Sequence, residues 1–173
     1  MRPTRSNGYA VRLVIELHLL RHAHAGDPLA WDGPDETRPL SDKGEKQADR
    51  LGRFLAGIGF RPDAIITSPK VRAAQTAEIV AARLGVSVSV DDRLAGNLGI
   101  ASLEGLLRDA GDPTRAVIVG HDPDFSELLA ILCDAPHIPM KKGALARVDA
   151  ERPLEPGGGT LAWLVPPDLL RPG

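Results

Sequence analysis

Cysteine is almost missing from this 173-residue chain. A lone Cys133 cannot close an internal disulfide, which excludes the stapled secreted scaffold and the four-cysteine zinc site and points to a reducing compartment. Aromatic residues make up only 3%, so the core has to be built from Ala, Val, Leu and Ile, which suits helices packed on a sheet. Neither sign of charge prevails. With 21 basic against 23 acidic residues the net charge is −2, and no basic run is present to attract nucleic acid or anionic lipid. Long apolar runs are also absent: Leu13 to Leu20 is interrupted by Glu16 and His18 and stays far below the ~20 residues that cross a bilayer. Arg2, Arg5 and Arg12 are followed by no apolar segment with a small-residue cleavage site. Residues 1–12 therefore read as a flexible tail, residues 13–173 as one domain, and the chain as cytoplasmic. Neither GxxxxGK[ST] nor GxGxxG occurs, which argues against a nucleotide-binding loop.

What the chain has is alternation. Val14 to Leu20 reads as a strand stopping at Arg21, and the Gly-, Pro- and Asp-rich stretch from Gly26 to Pro34 as a long loop. Ser41 offers an N-cap to a helix patterned by Ala48, Leu51, Phe54, Leu55 and Ile58. A second strand, Ala64 to Thr67, leads to Ser68-Pro69, a capping side chain and a proline where the next helix begins, and Gly85 ends that helix. Val86 to Val90 predicts a third strand, Leu103 to Leu107 a short helix, and Ala116 to Gly120 a fourth strand. A helix follows from Phe125, then two strands, Gly143 to Val148 and Thr160 to Val165, joined by a turn over Arg152 to Gly159. The pattern predicts a three-layer α/β/α fold: a mostly parallel central sheet with helices on both faces and an antiparallel pair at its end.

In such sheets ligands bind beyond the carboxyl ends of the strands. The first strand ends in Arg21-His22, the second in Ser68 with Arg72 one helical turn later, and the fourth in His121. Two guanidiniums and two imidazoles around one crevice make a site for a small, highly charged anion, and a phosphoryl group matches the arginine forks. No serine sits in a GxSxG elbow and Cys133 lies late on an apolar helix, so a histidine is the available nucleophile, and His22 beside Arg21 fits that role. Ser68 reads first as a cap and second as a phosphate ligand. His18, His22 and His24 alternate, but no acidic or cysteine partner has zinc-ligand spacing, so no metal or cofactor is expected. His18 is expected inside the sheet, and His24 and Asp27 at the pocket mouth. Trp31 reads either as a cover over the site or as a local anchor, and Lys141-Lys142 as a solvated pair.

Leu19-Leu20-Arg21-His22-Ala23 resembles the Arg-His-Gly motif of the histidine phosphatase, or phosphoglycerate-mutase-like, superfamily. Ser68-Pro69-Lys70-Val71-Arg72-Ala73-Ala74-Gln75-Thr76-Ala77 resembles its second-arginine motif and Val119-Gly120-His121 its second-histidine motif. Chain length and the segment Arg38-Pro39-Leu40-Ser41-Asp42-Lys43-Gly44 look most like the SixA-type phosphohistidine phosphatases. The resemblance implies that His22 carries the phosphoryl group covalently and that Arg21, Arg72 and His121 hold its oxygens. It also implies a phosphorylated protein, or a small phosphorylated molecule, as the substrate.

Two departures stand out. The family's glycine after the first histidine is Ala23 here, tolerable if the backbone avoids positive φ. Mutase and phosphomonoesterase members use a glutamate as general acid, yet Asp91 to Leu103 contains none; Asp122, next to His121, is the substitute donor, although Asp122-Pro123 also reads as a plain helix start. An ester leaves as an alkoxide that needs a proton, whereas phosphohistidine leaves as an imidazole that needs little help. Weak acid provision, and no room for a lid between Thr67 and Val117, favour phosphohistidine on a protein. The alternatives are a phosphatase for small esters and a non-catalytic module that binds phosphoproteins.

Overall fold

Alternating apolar runs become strands and the 3.6-residue patterns become helices. In the computed structural model, which describes residues 13–170, the order is β1 (Leu13–Arg21), α1 (Asp42–Gly57), β2 (Ala64–Thr67), α2 (Val71–Leu84), β3 (Val88–Val90), α3 (Ile100–Asp109), β4 (Arg115–Gly120), α4 (Asp124–Leu132), β5 (Leu145–Arg152) and β6 (Gly159–Val165). The tail expected over residues 1–12 lies outside the described residues. One six-stranded sheet runs β3-β2-β4-β1-β5-β6. Its β3-β2, β2-β4 and β4-β1 pairs are parallel, and β5 and β6 are added antiparallel.

Strand alternation sends successive side chains to opposite faces. Ile15, Leu17 and Leu19 meet Leu103, Leu106 and Leu107 of α3 and Phe125, Leu128 and Leu129 of α4. On the other face Leu20, Ile65 and Val119 meet Leu51 and Leu55 of α1 and Ala73, Ala77 and Val80 of α2. The three expected layers are thus present, with small aliphatic side chains filling both cores. His18 is on the second face as expected, its ring centroid 4.9 Å from that of Phe60 and 5.5 Å from that of Trp163. Burial there lowers its pKa from 6.5 to about 4.

Several boundaries differ from the sequence reading, among them the start of β3, at Val88 instead of Val86. α2 starts at Val71, with Lys70 in the N-cap position making no side-chain cap; the Ser68 hydroxyl instead accepts from the Lys70 N–H at 3.2 Å. α3 extends beyond Leu103 to Leu107 at both ends. β5 starts at Leu145 because Gly143, at φ 80°, turns the chain to donate to the carbonyls of Arg21 and His22. It then runs on to Arg152, because β1 offers it a ladder as far as Leu13, and this pairing overrides the polar Asp149 and Glu151.

Candidate active site

Register brings the separated motifs together. Arg21 on β1 lies opposite Gly120 on β4, and Thr67 on β2 lies opposite Val119 on β4. The ladder continues one residue past each strand: His22 N–H donates to Gly120 and Ser68 N–H to Val119, both at 3.0 Å. His22, Ser68 and His121 therefore emerge side by side at the carboxyl edge, and the first turn of α2 delivers Arg72. The His22 and His121 ring centroids are 5.3 Å apart.

His22 is buried, and its Nδ1 lies 2.8 Å from the Ala23 carbonyl oxygen. A carbonyl can only accept, so Nδ1 carries the proton and Nε2 keeps its lone pair. Burial, with Arg72, Arg21 and Lys142 adding to it, pushes the His22 pKa down to about 3. His121 is likewise lowered to about 3, by burial first and then by His22, Lys70 and Arg72. Both rings are neutral at physiological pH. Among the described residues, four buried side-chain polar atoms lack a partner, and Arg21 Nε, Arg72 Nε and His121 Nδ1 are three of them. Buried polar groups are rarely left unpaired, so this cluster is built to receive something. Its charge selects an anion.

Around this centre each arginine has its own acceptors. Arg21 Nη1 pairs with Asp122 at 2.9 Å and also donates to the Met140 carbonyl. The Asp122 carboxylate additionally accepts from the Ser126 hydroxyl at 2.9 Å and the Ser126 N–H at 3.2 Å. Arg72 Nη2 pairs with Asp35 at 2.9 Å, and Arg72 Nη1 donates to the Asp35 carbonyl at 2.6 Å. Ser68 is fully buried, with its Oγ 2.7 Å from His121 Nε2.

His24, expected at the pocket mouth, is tied to the N-terminus of α1. Its Nδ1 lies 2.7 Å from Ser41 Oγ, and its carbonyl accepts from Ser41 N–H. A Cβ at Gly44 would stand only 1.9 Å from that carbonyl oxygen, so glycine is what lets α1 dock there. Ser41 is the N-cap of α1 as expected, accepting from Gly44 N–H. Trp31 anchors locally, donating to the Pro34 carbonyl and lining a cleft of about 230 Å³ with Ala25, Asp27, Arg38 and Ser41. Ala23 packs with Ala25, Leu40 and Ala48, and its backbone avoids positive φ. Of the acids around Asp91 to Leu103, Asp91 holds Arg93. Glu104 holds Arg152.

Two neighbours of the site were not placed there by the sequence reading. Asp35 sits on a short 3₁₀ turn, Asp35–Thr37, inside the long loop. Lys142, read there as half of a solvated pair, is partly buried, and burial, then Arg21, Arg38 and Arg72, lowers its pKa. Among the described residues no group of three or more His, Cys, Asp or Glu is placed to hold a metal ion. No helix among them is long and apolar enough to cross a membrane.

The chain is similar to known proteins in sequence and in fold. Residues 17–122 match the model of the histidine phosphatase superfamily, branch 1, and so include all four central residues. An uncharacterised protein of Picosynechococcus sp. is 38% identical over 138 residues, covering 76% of this chain and 82% of its own. The Escherichia coli phosphohistidine phosphatase SixA is 28% identical over 164 residues, covering 91% of this chain and 97% of its own. Among solved structures, the protein histidine phosphatase SixA complexed with tungstate superposes with a TM-score of 0.78 at 25% identity, covering 91% of this chain and all of that one. With the match to the family model spanning more than half of the chain and the two arginines and two histidines gathered at one sheet edge, the chain belongs to the histidine phosphatase superfamily.

Proposed function

We propose that this phosphatase removes phosphoryl groups from phosphohistidine on a protein, through a covalent phosphohistidine on its own His22. The observation that carries the reading is the trio of unpartnered buried atoms, Arg21 Nε, Arg72 Nε and His121 Nδ1, around a histidine whose Nε2 is unprotonated. His22 Nε2 attacks phosphorus, a new N–P bond forms, and the substrate's P–N bond breaks with its electron pair going to the leaving imidazole. Arg21, Arg72 and His121 hold the phosphoryl oxygens as charge redistributes. Water then attacks the phosphoenzyme, releasing phosphate and restoring His22. Ser68 acts through His121, and Asp122 through Arg21. His24 secures the loop to α1.

Several features support a phosphoramidate substrate. Asp122 spends its carboxylate on Arg21 and Ser126, which provides little for an alkoxide leaving group. The span from Thr67 to Val117 is taken up by α2, β3, a 3₁₀ turn and α3, with no inserted lid. The SixA relatives, one of them bound to the oxyanion tungstate, favour the same class. The second reading is hydrolysis of small esters with Asp122 as acid. An Asp122→Asn enzyme that loses ester turnover but keeps phosphohistidine turnover separates the two.

Brief incubation with a labelled phosphodonor, then quenching at alkaline pH, tests the mechanism. Wild type carries acid-labile label on His22 and His22→Ala carries none. Equal labelling of the variant overturns the nucleophile assignment, and no label on either protein favours a phosphoprotein-binding module.

A further inference from the structure

We propose that Asp35 makes the site selective for substrates whose leaving group is positively charged. The inference rests on the phosphohistidine reading above and gives that selectivity a residue. Asp35 is one of two acids paired with the site's arginines, holding Arg72 as Asp122 holds Arg21. Its Oδ2 lies 2.9 Å from Arg72 Nη2, and its Oδ1 lies 3.0 Å from both Nε and Nη2 of Arg38. Arg38 is itself buried and anchored to the Ala25 carbonyl. Burial alone raises the Asp35 pKa, but Arg38 and Arg72 outweigh it, and the carboxyl is held below its usual range.

The exposures set the geometry. The Arg72 side chain is 6% exposed and that of Asp35 is 50% exposed, so the carboxylate stands between the buried guanidinium and solvent. A protein-borne leaving group must project toward solvent, and the half-exposed Asp35 carboxylate lies on the solvent side of Arg72. Asp35 is also close enough to His121 to favour its protonated form, against burial and the surrounding cations.

Asp35 need not move aside when substrate binds. It occupies Arg72 Nη1 and Nη2, but Arg72 Nε remains unpartnered and buried. Arg72 can therefore give Nε to a phosphoryl oxygen while keeping hold of Asp35. The bound phosphoryl group then has a fixed negative neighbour. A phosphomonoester dianion with a neutral or anionic remainder is repelled by it. A phosphohistidine ring protonated on its second nitrogen is attracted, because each carboxylate oxygen keeps acceptor capacity beyond its arginine. As His22 takes the phosphoryl group, that imidazolium leaves as neutral imidazole, keeping the P–N electron pair and its own proton. No external acid is needed.

The test compares wild type, Asp35→Asn and Asp35→Glu in the full chain. For each, kcat/KM is measured on a phosphohistidine-carrying protein and on p-nitrophenyl phosphate, with competitive inhibition by inorganic phosphate. For Asp35→Asn the phosphohistidine-to-ester ratio should fall about tenfold or more, and phosphate should inhibit several-fold more tightly, as removal of a like charge at short range predicts. Asp35→Glu should keep the wild-type order of preference. Equal losses on both substrates, the result of a mere tether for Arg72, overturn the proposal, as does an unchanged ratio. Wild type failing on phosphohistidine overturns the substrate reading instead, and the phosphate arm still decides whether Asp35 repels the anion.

Discussion

Ser68 Oγ stands 2.7 Å from His121 Nε2, joining two residues 53 positions apart in the chain. The same hydroxyl accepts from Lys70 N–H, so its own proton is available to Nε2. With Nε2 accepting, a neutral His121 carries its proton on Nδ1, the atom left unpartnered in the buried cluster. Ser68 is thus a positioning residue that decides which nitrogen of His121 faces the anion as a donor. Ser68→Ala should lower kcat about fivefold, the equivalent of a ~1 kcal/mol hydrogen bond, with a smaller change in KM. Ser68→Thr, which keeps the hydroxyl, should recover most of it. Equal activities for Ala and wild type would contradict this role.

The four central residues were legible because each follows directly on an element that the apolar pattern marks. Arg21, His22 and His121 sit at strand ends and Arg72 in a first helical turn, so the parallel register alone brings them together. Ser68 was legible as a helix start and, second, as a phosphate ligand, but not as the partner of His121, which follows a different strand. Asp35 and Lys142 belong to loops whose paths depend on long-range bonds: Arg38 to the Ala25 carbonyl in one case, Gly143 to the carbonyls of Arg21 and His22 in the other. No local periodicity encodes such paths. The length of β5 escaped for a related reason, because pairing with β1 extends a strand whose own sequence turns polar.

Three buried histidines make stability depend on pH. His18 holds a pKa of about 4, and His22 and His121 of about 3, burial being the leading cause at each. In the unfolded chain each titrates near 6.5. Between these limits the unfolded state binds more protons, so stability is fully present above pH ~6.5 and drains away as pH falls toward the folded values. Each ring contributes a slope of at most ~1.4 kcal/mol per pH unit within that window. Urea midpoints measured from pH 7.5 to 4.5 should fall steadily, and His18→Phe should flatten the curve by about one histidine's share. A midpoint constant over that range would show that the rings are not held neutral.

Lys142 gives the last prediction. It sits among Arg21, Arg38 and Arg72, and its lowered pKa records burial and that crowding, partly relieved by Asp27. It also helps keep His22 neutral. A bound phosphoryl group reverses the balance, because repulsion among cations becomes shared attraction to an anion. Lys142→Met should therefore leave thermal stability equal or slightly raised while weakening competitive inhibition by inorganic phosphate about five- to tenfold, the equivalent of ~1 kcal/mol or a little more. Added salt should narrow the gap between variant and wild type, since a half-buried charge is partly screened. Lys141→Met is the control: that side chain is 72% exposed and lies 3.6 Å from Asp168, so its loss should leave phosphate inhibition unchanged. If the two variants behave alike, Lys142 takes no part in holding the anion, and Arg21 and Arg72 alone supply the charge that the phosphoryl group meets.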